Sequence, residues 1–151
     1  MKKFNFPLRS VGTVRAMREL RAREACTEAL HAFLVAEERV ERAREQRRML
    51  EGILVASRGA TLRPPDQVTY LNAYHDELAR ERQAAQESAA AKTELDQRRE
   101  VWVNARRDLR VIENLEVKAR QVYRHELEYE EQKQLDDRTN ATAGRAPLLM
   151  S

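Results

Sequence analysis

The sequence predicts an all-α fold, a long antiparallel coiled coil of two helices in which the second helix overhangs the first. Its 151 residues include 35% charged side chains, 5% aromatic side chains, four glycines and four prolines. A β-sandwich or β-barrel of this length needs more turn residues and more large apolar residues. The biased composition is typical of long solvated helices joined by a narrow apolar stripe. A compact enzyme is therefore not expected.

The first predicted helix covers residues 10–58, after a short irregular arm at residues 1–9 that contains two phenylalanines. Ser10 is a suitable N-cap because its side-chain oxygen can accept a hydrogen bond from a free backbone N–H group. Gly59 follows Arg58 at the position where many helices end with a glycine. At 1.5 Å per residue this helix would be ~70 Å long.

A turn at residues 59–65 is predicted to follow, because its two consecutive prolines cannot continue a helix. Asp66 then caps a second helix over residues 66–138, which would be ~110 Å long. We expect residues 1–138 to form a single coiled-coil hairpin. The remaining segment, 139–151, contains a glycine and a proline and is predicted to be a disordered tail.

Both helices carry apolar side chains at alternating spacings of three and four residues, which is typical of a left-handed coiled coil. We call these residues the apolar seam. In the first helix they are Ala22, Cys26, Ala29, Phe33, Ala36, Val40, Ala43, Leu50 and Leu54. In the second helix they are Tyr74, Ala91, Leu95, Trp102, Ala105, Leu109, Ile112, Ala119 and Tyr123.

The predicted seam is imperfect. It is interrupted by the charged residues Arg47, Glu81, Arg98 and Glu116. Leu71 and Leu78 fall outside the heptad spacing, which predicts a local slip of register near residues 80–90.

A short turn makes the two helices antiparallel and places residue i opposite residue 124 − i. The second helix then overhangs the first from about Leu115 to Arg138. A two-helix coiled coil of this kind buries little surface for its length. We therefore expect a rod that inserts into a partner.

Charge and cysteine content favour a soluble, cytoplasmic protein. Residues 1–65 carry 14 basic and 8 acidic side chains, and residues 66–151 carry 14 and 17. Signs are thus mixed in both halves, unlike a nucleic-acid-binding tail. Cys26 is the single cysteine and cannot form an internal disulfide. No apolar run approaches the ~20 residues that span a bilayer, and the basic opening is not followed by the apolar segment of a signal peptide.

No catalytic residue, metal site or cofactor is predicted. His31, His75 and His125 are far apart, whereas a helical metal site needs ligands on one face. His125 and Glu126 resemble the start of a zinc-protease motif, but Tyr129 stands where the second histidine would be. The four glycines are isolated and form no phosphate-binding loop.

A basic cluster on the first helix has two interpretations. Arg15, Arg18, Arg21 and Arg23 form either a solvated face that pairs with acidic neighbours or a docking stripe for an acidic partner. Nonspecific binding to nucleic acid or to an anionic membrane would require affinity that falls steeply with salt. The acidic second half and the scarcity of stacking aromatics argue against it, so no nucleic-acid partner is expected.

The two ends of the chain carry a family resemblance. The opening Lys2-Lys3-Phe4-Asn5-Phe6-Pro7-Leu8 precedes a charged, alanine-rich helix. The second helix contains Trp102, Leu109 and Leu115, followed by Tyr123-Arg124-x-Glu126-x-Glu128 and Glu131-Gln132-Lys133-Gln134-Leu135-Asp136-Asp137. These features resemble the flagellar FliJ family, and the likeness in length, helix layout and turn position covers the whole chain.

The resemblance implies a function that composition alone does not supply. FliJ proteins are soluble parts of the type III export apparatus at the cytoplasmic face of the basal body, and they serve bacterial flagellum biogenesis and motility. They are similar to the rotor stalk of F- and V-type ATPases. They bind the hexameric export ATPase and promote its assembly, contact the cytoplasmic domain of the membrane export gate, and interact with export chaperones. Membrane association would be peripheral and through these partners.

Two binding sites are predicted within that role, the first from the shape and the second from the resemblance. The end that holds residues 4–23 and 115–138 would enter the ATPase ring, with polar contacts from Arg15, Arg18, Arg21, Arg23, Glu126, Glu128, Glu131, Asp136 and Asp137. The export gate would be contacted by Tyr70, Tyr74 and Leu78, near the turn. Charged, hydrated contacts suit a stalk that must remain dissociable.

Two alternatives share this architecture. An escort protein for export chaperones, without a stalk role, would bind a chaperone tightly and leave ATP turnover unchanged. The equivalent stalk of a virulence type III secretion system is the other alternative, although the Phe-x-Phe opening and the closing acidic segment favour the flagellar branch.

Overall fold

Two long α-helices that pack against each other make up the fold. The computed structural model describes residues 2–59 and 63–149, and the side chains of these residues except 146–149. Helix α1 spans Arg9–Ser57 and helix α2 spans Pro64–Leu149. No strand occurs in those two described ranges. The all-α prediction is confirmed.

The helix ends near the turn differ slightly from the prediction. Helix α2 begins at Pro64 rather than at residue 66. Proline is well suited to a first helical turn, because its missing N–H group would have no partner there and its φ angle is already helical. Asp66 lies in this first turn, where a negative charge is favourable. The predicted turn residues 60–62 lie outside the described residues.

The far end of α2 corrects the predicted disordered tail. The helix continues past Arg138 to Leu149, and residues 150 and 151 lie outside the described part. The hydroxyl of Thr139 donates to the Leu135 carbonyl oxygen at 2.8 Å, and that of Thr142 donates to the Arg138 carbonyl oxygen at 2.8 Å. These bonds let threonine remain in a helix instead of capping a new turn.

Each helix contributes to two compact units. The turn unit is Arg18–Ala105, and the arm unit is Met1–Met17 with Arg106–Ser151. In the turn unit, Leu95 is 3% exposed and packs with Cys26 and Ala29. Phe33 and Trp102 pack against this cluster. The predicted apolar seam is therefore confirmed in the turn unit.

The predicted register slip near residues 80–90 is absent. From Tyr70 to Leu95, buried and half-buried positions of α2 recur at alternating spacings of four and three: Tyr70, Tyr74, Glu77, Glu81, Ala84, Ser88, Ala91 and Leu95. Ala73 and Leu78 are also half-buried and flank this series before residue 80. Polar side chains simply occupy regular seam positions. An ion pair between Arg47 and Glu81 satisfies one such position, so the heptad does not need to shift.

The arm unit has its own packing. Ile112 of α2 is buried and faces Gly12 of α1. A Cβ atom at Gly12 would lie 3.1 Å from Ile112 Cγ2, so the absence of a side chain permits this close approach. The two residue numbers sum to 124, as the predicted pairing requires.

Candidate interaction sites

The N-terminal arm, residues 2–8, lies along α2 instead of projecting freely. Phe6 is buried, and the Phe4 ring centre is 5.4 Å from that of Tyr123. The Arg120 guanidinium lies 5.0 Å from the centre of the Phe4 ring, and the Tyr123 hydroxyl donates a hydrogen bond to the Lys2 carbonyl oxygen. Ring packing and a cation–π contact thus fasten the arm to α2.

A cavity of about 290 Å³ lies beside the arm, between residues 2–5 and the stretch of α2 from Ala119 to Glu130. The arm therefore covers part of the segment that was predicted to overhang from Leu115. Sequence reasoning missed this contact because an irregular arm has no periodicity; the closely spaced phenylalanines were the available signal.

An uninterrupted exposed stretch of α2 follows the segment that the arm contacts. Every residue from Glu128 to Arg145 is exposed. Residues 126–138 carry six carboxylates against Lys133 and Arg138, a net charge of −4. This stretch is a solvated acidic helix.

All five predicted acidic contact residues are exposed on this helix: Glu126, Glu128, Glu131, Asp136 and Asp137. Asp136 Oδ1 accepts a hydrogen bond from Gln132 Nε2 at 3.1 Å, and Glu128 lies 3.9 Å from His125. These are weak local contacts, so the carboxylates are accessible to a partner.

The predicted basic cluster is divided by the structure. Arg15 is half-buried, and its Nη1 atom donates to the Asp108 carbonyl oxygen at 2.8 Å. Arg18, Arg21 and Arg23 are exposed and form no ion pair with any described residue. Arg15 thus holds α1 to α2, and only the other three arginines present free charge.

The predicted gate-binding residues form no fully exposed patch. Tyr70, Tyr74 and Leu78 are all half-buried. The Tyr74 hydroxyl donates to Glu51 Oε1 at 3.0 Å, so this side chain faces α1. The exposed apolar side chains near this end of the helices are Met49, Ile53, Val55, Val68 and Leu71. Sequence reasoning missed them because they lie outside the seam spacing.

Tyr74 belongs to a polar network that crosses the seam. Arg47 Nε lies 2.5 Å from Glu81 Oε2, and Arg47 Nη1 lies 2.7 Å from Glu51 Oε1. The hydrogen bond from Tyr74, followed by that from Arg47, lowers the pKa of Glu51. The same hydrogen bond to Glu51 raises the pKa of Tyr74, and Glu81, ahead of Glu51, raises the pKa of Arg47. Arg47, Glu51 and Tyr74 are therefore held in their usual protonation states at neutral pH.

The described residues lack two other kinds of site. No helix there is both long and apolar enough to cross a membrane. No group of three or more His, Cys, Asp or Glu side chains in those residues could hold a metal ion.

A family model described as flagellar FliJ protein matches residues 4–147. The chain belongs to the FliJ family. No curated protein and no solved structure matches it. The resemblance inferred from the Phe-x-Phe opening and the acidic closing segment is thereby confirmed.

Membership of the FliJ family makes the chain a component of the flagellar type III export apparatus, and the family is a non-catalytic part of that apparatus. Two surfaces are accessible for contact with the apparatus: the acidic helix after the arm, and the exposed apolar side chains near the turn.

Proposed function

We propose that this FliJ-family chain is a cytoplasmic, stalk-like coiled coil that binds the hexameric export ATPase and promotes its assembly and activity. It links the ATPase to the cytoplasmic domain of the export gate, and it also binds export chaperones. It catalyses no reaction itself. Its position at the inner membrane is peripheral and depends on these partners.

The exposed acidic helix carries this proposal. Residues 128–145 continue α2 beyond α1, and each of them is exposed. A single helix in water is only marginally stable, so a long exposed one is best explained by a partner that surrounds it. Its carboxylates, with Arg18, Arg21 and Arg23, would make hydrated charged contacts that can form and break readily.

Arg15 has a positioning role in this proposal. Its guanidinium donates a hydrogen bond to the Asp108 carbonyl oxygen, whereas the sequence predicted a direct contact with the ATPase. Arg15→Ala should therefore reduce the thermal stability of the free protein, whereas Arg18→Ala should not. Equal thermal stabilities of the two variants would contradict this distinction.

ATP hydrolysis by the export ATPase of the same organism, titrated with this chain, tests the stalk proposal. We expect stimulation that saturates near one chain per hexamer, with ring formation rising in parallel. The variant Glu128→Gln, Glu131→Gln, Asp136→Asn should need about tenfold more protein for half-maximal stimulation, because several exposed charge contacts are lost together.

A matched control removes three exposed carboxylates elsewhere on α2, in the variant Glu87→Gln, Asp96→Asn, Glu100→Gln. This control should stimulate as the unmodified chain does. If neither ATP turnover nor ring assembly responds to the unmodified chain, the stalk proposal is wrong and the chaperone-escort alternative becomes the one to pursue.

Gate binding needs a separate test because Tyr74 is also part of the fold. We propose that Tyr70, Tyr74 and Leu78 contribute to the gate contact. The variant Tyr74→Ala, Leu78→Ala should weaken a pull-down by the gate domain and leave ATPase stimulation intact. Tyr74→Phe is the matched control, because it loses the hydrogen bond to Glu51 but keeps the ring. Unchanged gate binding in the double variant would refute the assignment.

A further inference from the structure

An open groove lies on one side of the turn unit, between α1 and α2. It has a volume of about 360 Å³. Phe33 and Val40 of α1 form its apolar floor, and Ala85 and Ala89 of α2 form its opposite wall. Because both alanines are exposed and small, they leave the groove unfilled.

The groove is continued by further apolar surface on α1. Leu30 and Leu34 are exposed and lie one turn apart, just before Glu37, which lines the groove. From Phe33 to Arg44 the groove follows about three turns of α1, or ~16 Å. An elongated groove between two antiparallel helices, with an apolar floor and charged rims, has the form that a third helix fills.

The two rims of the groove carry unlike charges that lack partners. Glu37 on the α1 rim and Lys92 on the α2 rim form no ion pair within the described residues. Glu41 and Arg44 also line the groove, but they pair with each other at 3.4 Å. The groove thus offers one free carboxylate and one free ammonium group on opposite edges.

We propose that this groove binds one amphipathic α-helix of a partner protein. The partner's helix presents large apolar side chains to Phe33 and Val40. Its basic edge faces Glu37, and its acidic edge faces Lys92. This surface is distinct from the acidic helix and from the predicted gate-binding residues. The inference goes beyond the proposed function and does not depend on it.

A second copy of the chain is a poorer occupant. In a two-fold symmetric pair each copy would present the same concave groove to the other. Two concave surfaces leave unfilled space between them, which forfeits the packing that would stabilise the contact.

A designed peptide supplies a direct probe. We would use a fluorescent amphipathic helix of about 20 residues, with leucines on its apolar face, lysines on one edge and glutamates on the other. Fluorescence anisotropy should show saturable binding. Ala89→Trp should weaken it about tenfold, because the indole fills the groove.

Ala90→Trp is the matched control, because Ala90 is also exposed but is not among the residues that line the groove. It should leave peptide affinity within about twofold of the unmodified chain. The absence of saturable binding, or an equal loss in both tryptophan variants, would overturn the proposal. Self-association that Ala89→Trp abolishes, followed by sedimentation, would also overturn it in favour of a second copy.

Charge reversal provides a further test, since turning a helix end for end exchanges its two edges. The double variant Glu37→Lys, Lys92→Glu should therefore bind the same peptide in the opposite direction. A nitroxide on the peptide N-terminus should broaden amide signals at one end of the groove, near Leu30, in one protein and at the other end, near Arg44, in the other. Broadening at the same end in both proteins would refute the proposed charge contacts.

Discussion

Leu95→Ala should lower the free energy of unfolding by about 2–3 kcal/mol. Leu95 is 3% exposed and contacts the cluster of Cys26 and Ala29. The substitution removes three carbon atoms, and at ~0.8 kcal/mol for each buried CH₂ group the loss of burial alone amounts to about 2.4 kcal/mol. A remaining cavity adds to this cost. Because the seam is only two helices thick, water can enter the space, which keeps the total in the lower half of the ~2–5 kcal/mol range for such substitutions.

Urea unfolding gives the measurement, followed by circular dichroism and by the fluorescence of Trp102, which packs against the same cluster. The melting temperature should fall by about 5–10 °C, at ~2–4 °C per kcal/mol for a chain of this size. Leu34→Ala is the matched control, because Leu34 is 53% exposed in the same unit. Its effect should stay within about 0.5 kcal/mol. Equal losses in the two variants would show that Leu95 does not occupy the seam.

Two further predictions concern glycine and pH. Gly52→Ala should stabilise the protein by about 0.5–1 kcal/mol, because alanine favours the helix and a Cβ atom there meets nothing within 4 Å. Gly12→Ala should gain less, because its Cβ atom would press on Ile112. The hydrogen bond from Tyr74 lowers the pKa of Glu51 below its ordinary 4.5, so this carboxylate stabilises the fold above that pH and loses its contribution as the pH falls through the lowered pKa. Tyr74→Phe should therefore reduce the loss of melting temperature between about pH 6 and about pH 3.

Thermal melts of the glycine variants and of the tyrosine variant decide these predictions. If Gly12→Ala stabilised as much as Gly52→Ala, the close approach to Ile112 would not be a constraint. An acid-induced loss of the same size in Tyr74→Phe and the unmodified chain would show that the hydrogen bond does not hold the pKa of Glu51 down.

The seam of the turn unit could be predicted because burial in a coiled coil leaves a direct trace in residue spacing. Leu95 and Cys26 recur at the expected intervals, so their burial followed from periodicity alone. The seam positions of Glu77 and Glu81 were harder to predict, because hydrophobicity cannot distinguish a paired charge at a regular seam position from a shift of register. The burial pattern and the short distance between Arg47 and Glu81 reveal that the heptad continues.

The sites were less predictable than the fold, because exposed charge has the same appearance in sequence whether or not it is already paired. Arg15 and Arg18 belong to one basic cluster by spacing, yet only Arg15 is committed to a backbone carbonyl. Likewise, Tyr74 reads as an available aromatic residue until Glu51 is found within hydrogen-bonding distance. Contacts of the arm also leave no periodic trace.

The constant pairing of the helices restricts how the chain can change in length. In the turn unit Trp102 Nε1 donates a hydrogen bond to Glu19 Oε1, and Arg44 Nε lies 3.6 Å from Glu81 Oε1. The numbers of residues that face each other therefore keep a nearly constant sum. Deleting seven residues from α1 alone, between Glu19 and the turn, would keep the heptad spacing of α1. Trp102 would then no longer face Glu19 but the residue seven positions away from it. Deleting residues 33–39 together with 85–91 would restore every pair beyond the deletion. Insertions and deletions in this coiled coil should therefore be tolerated best as matched seven-residue steps on both helices.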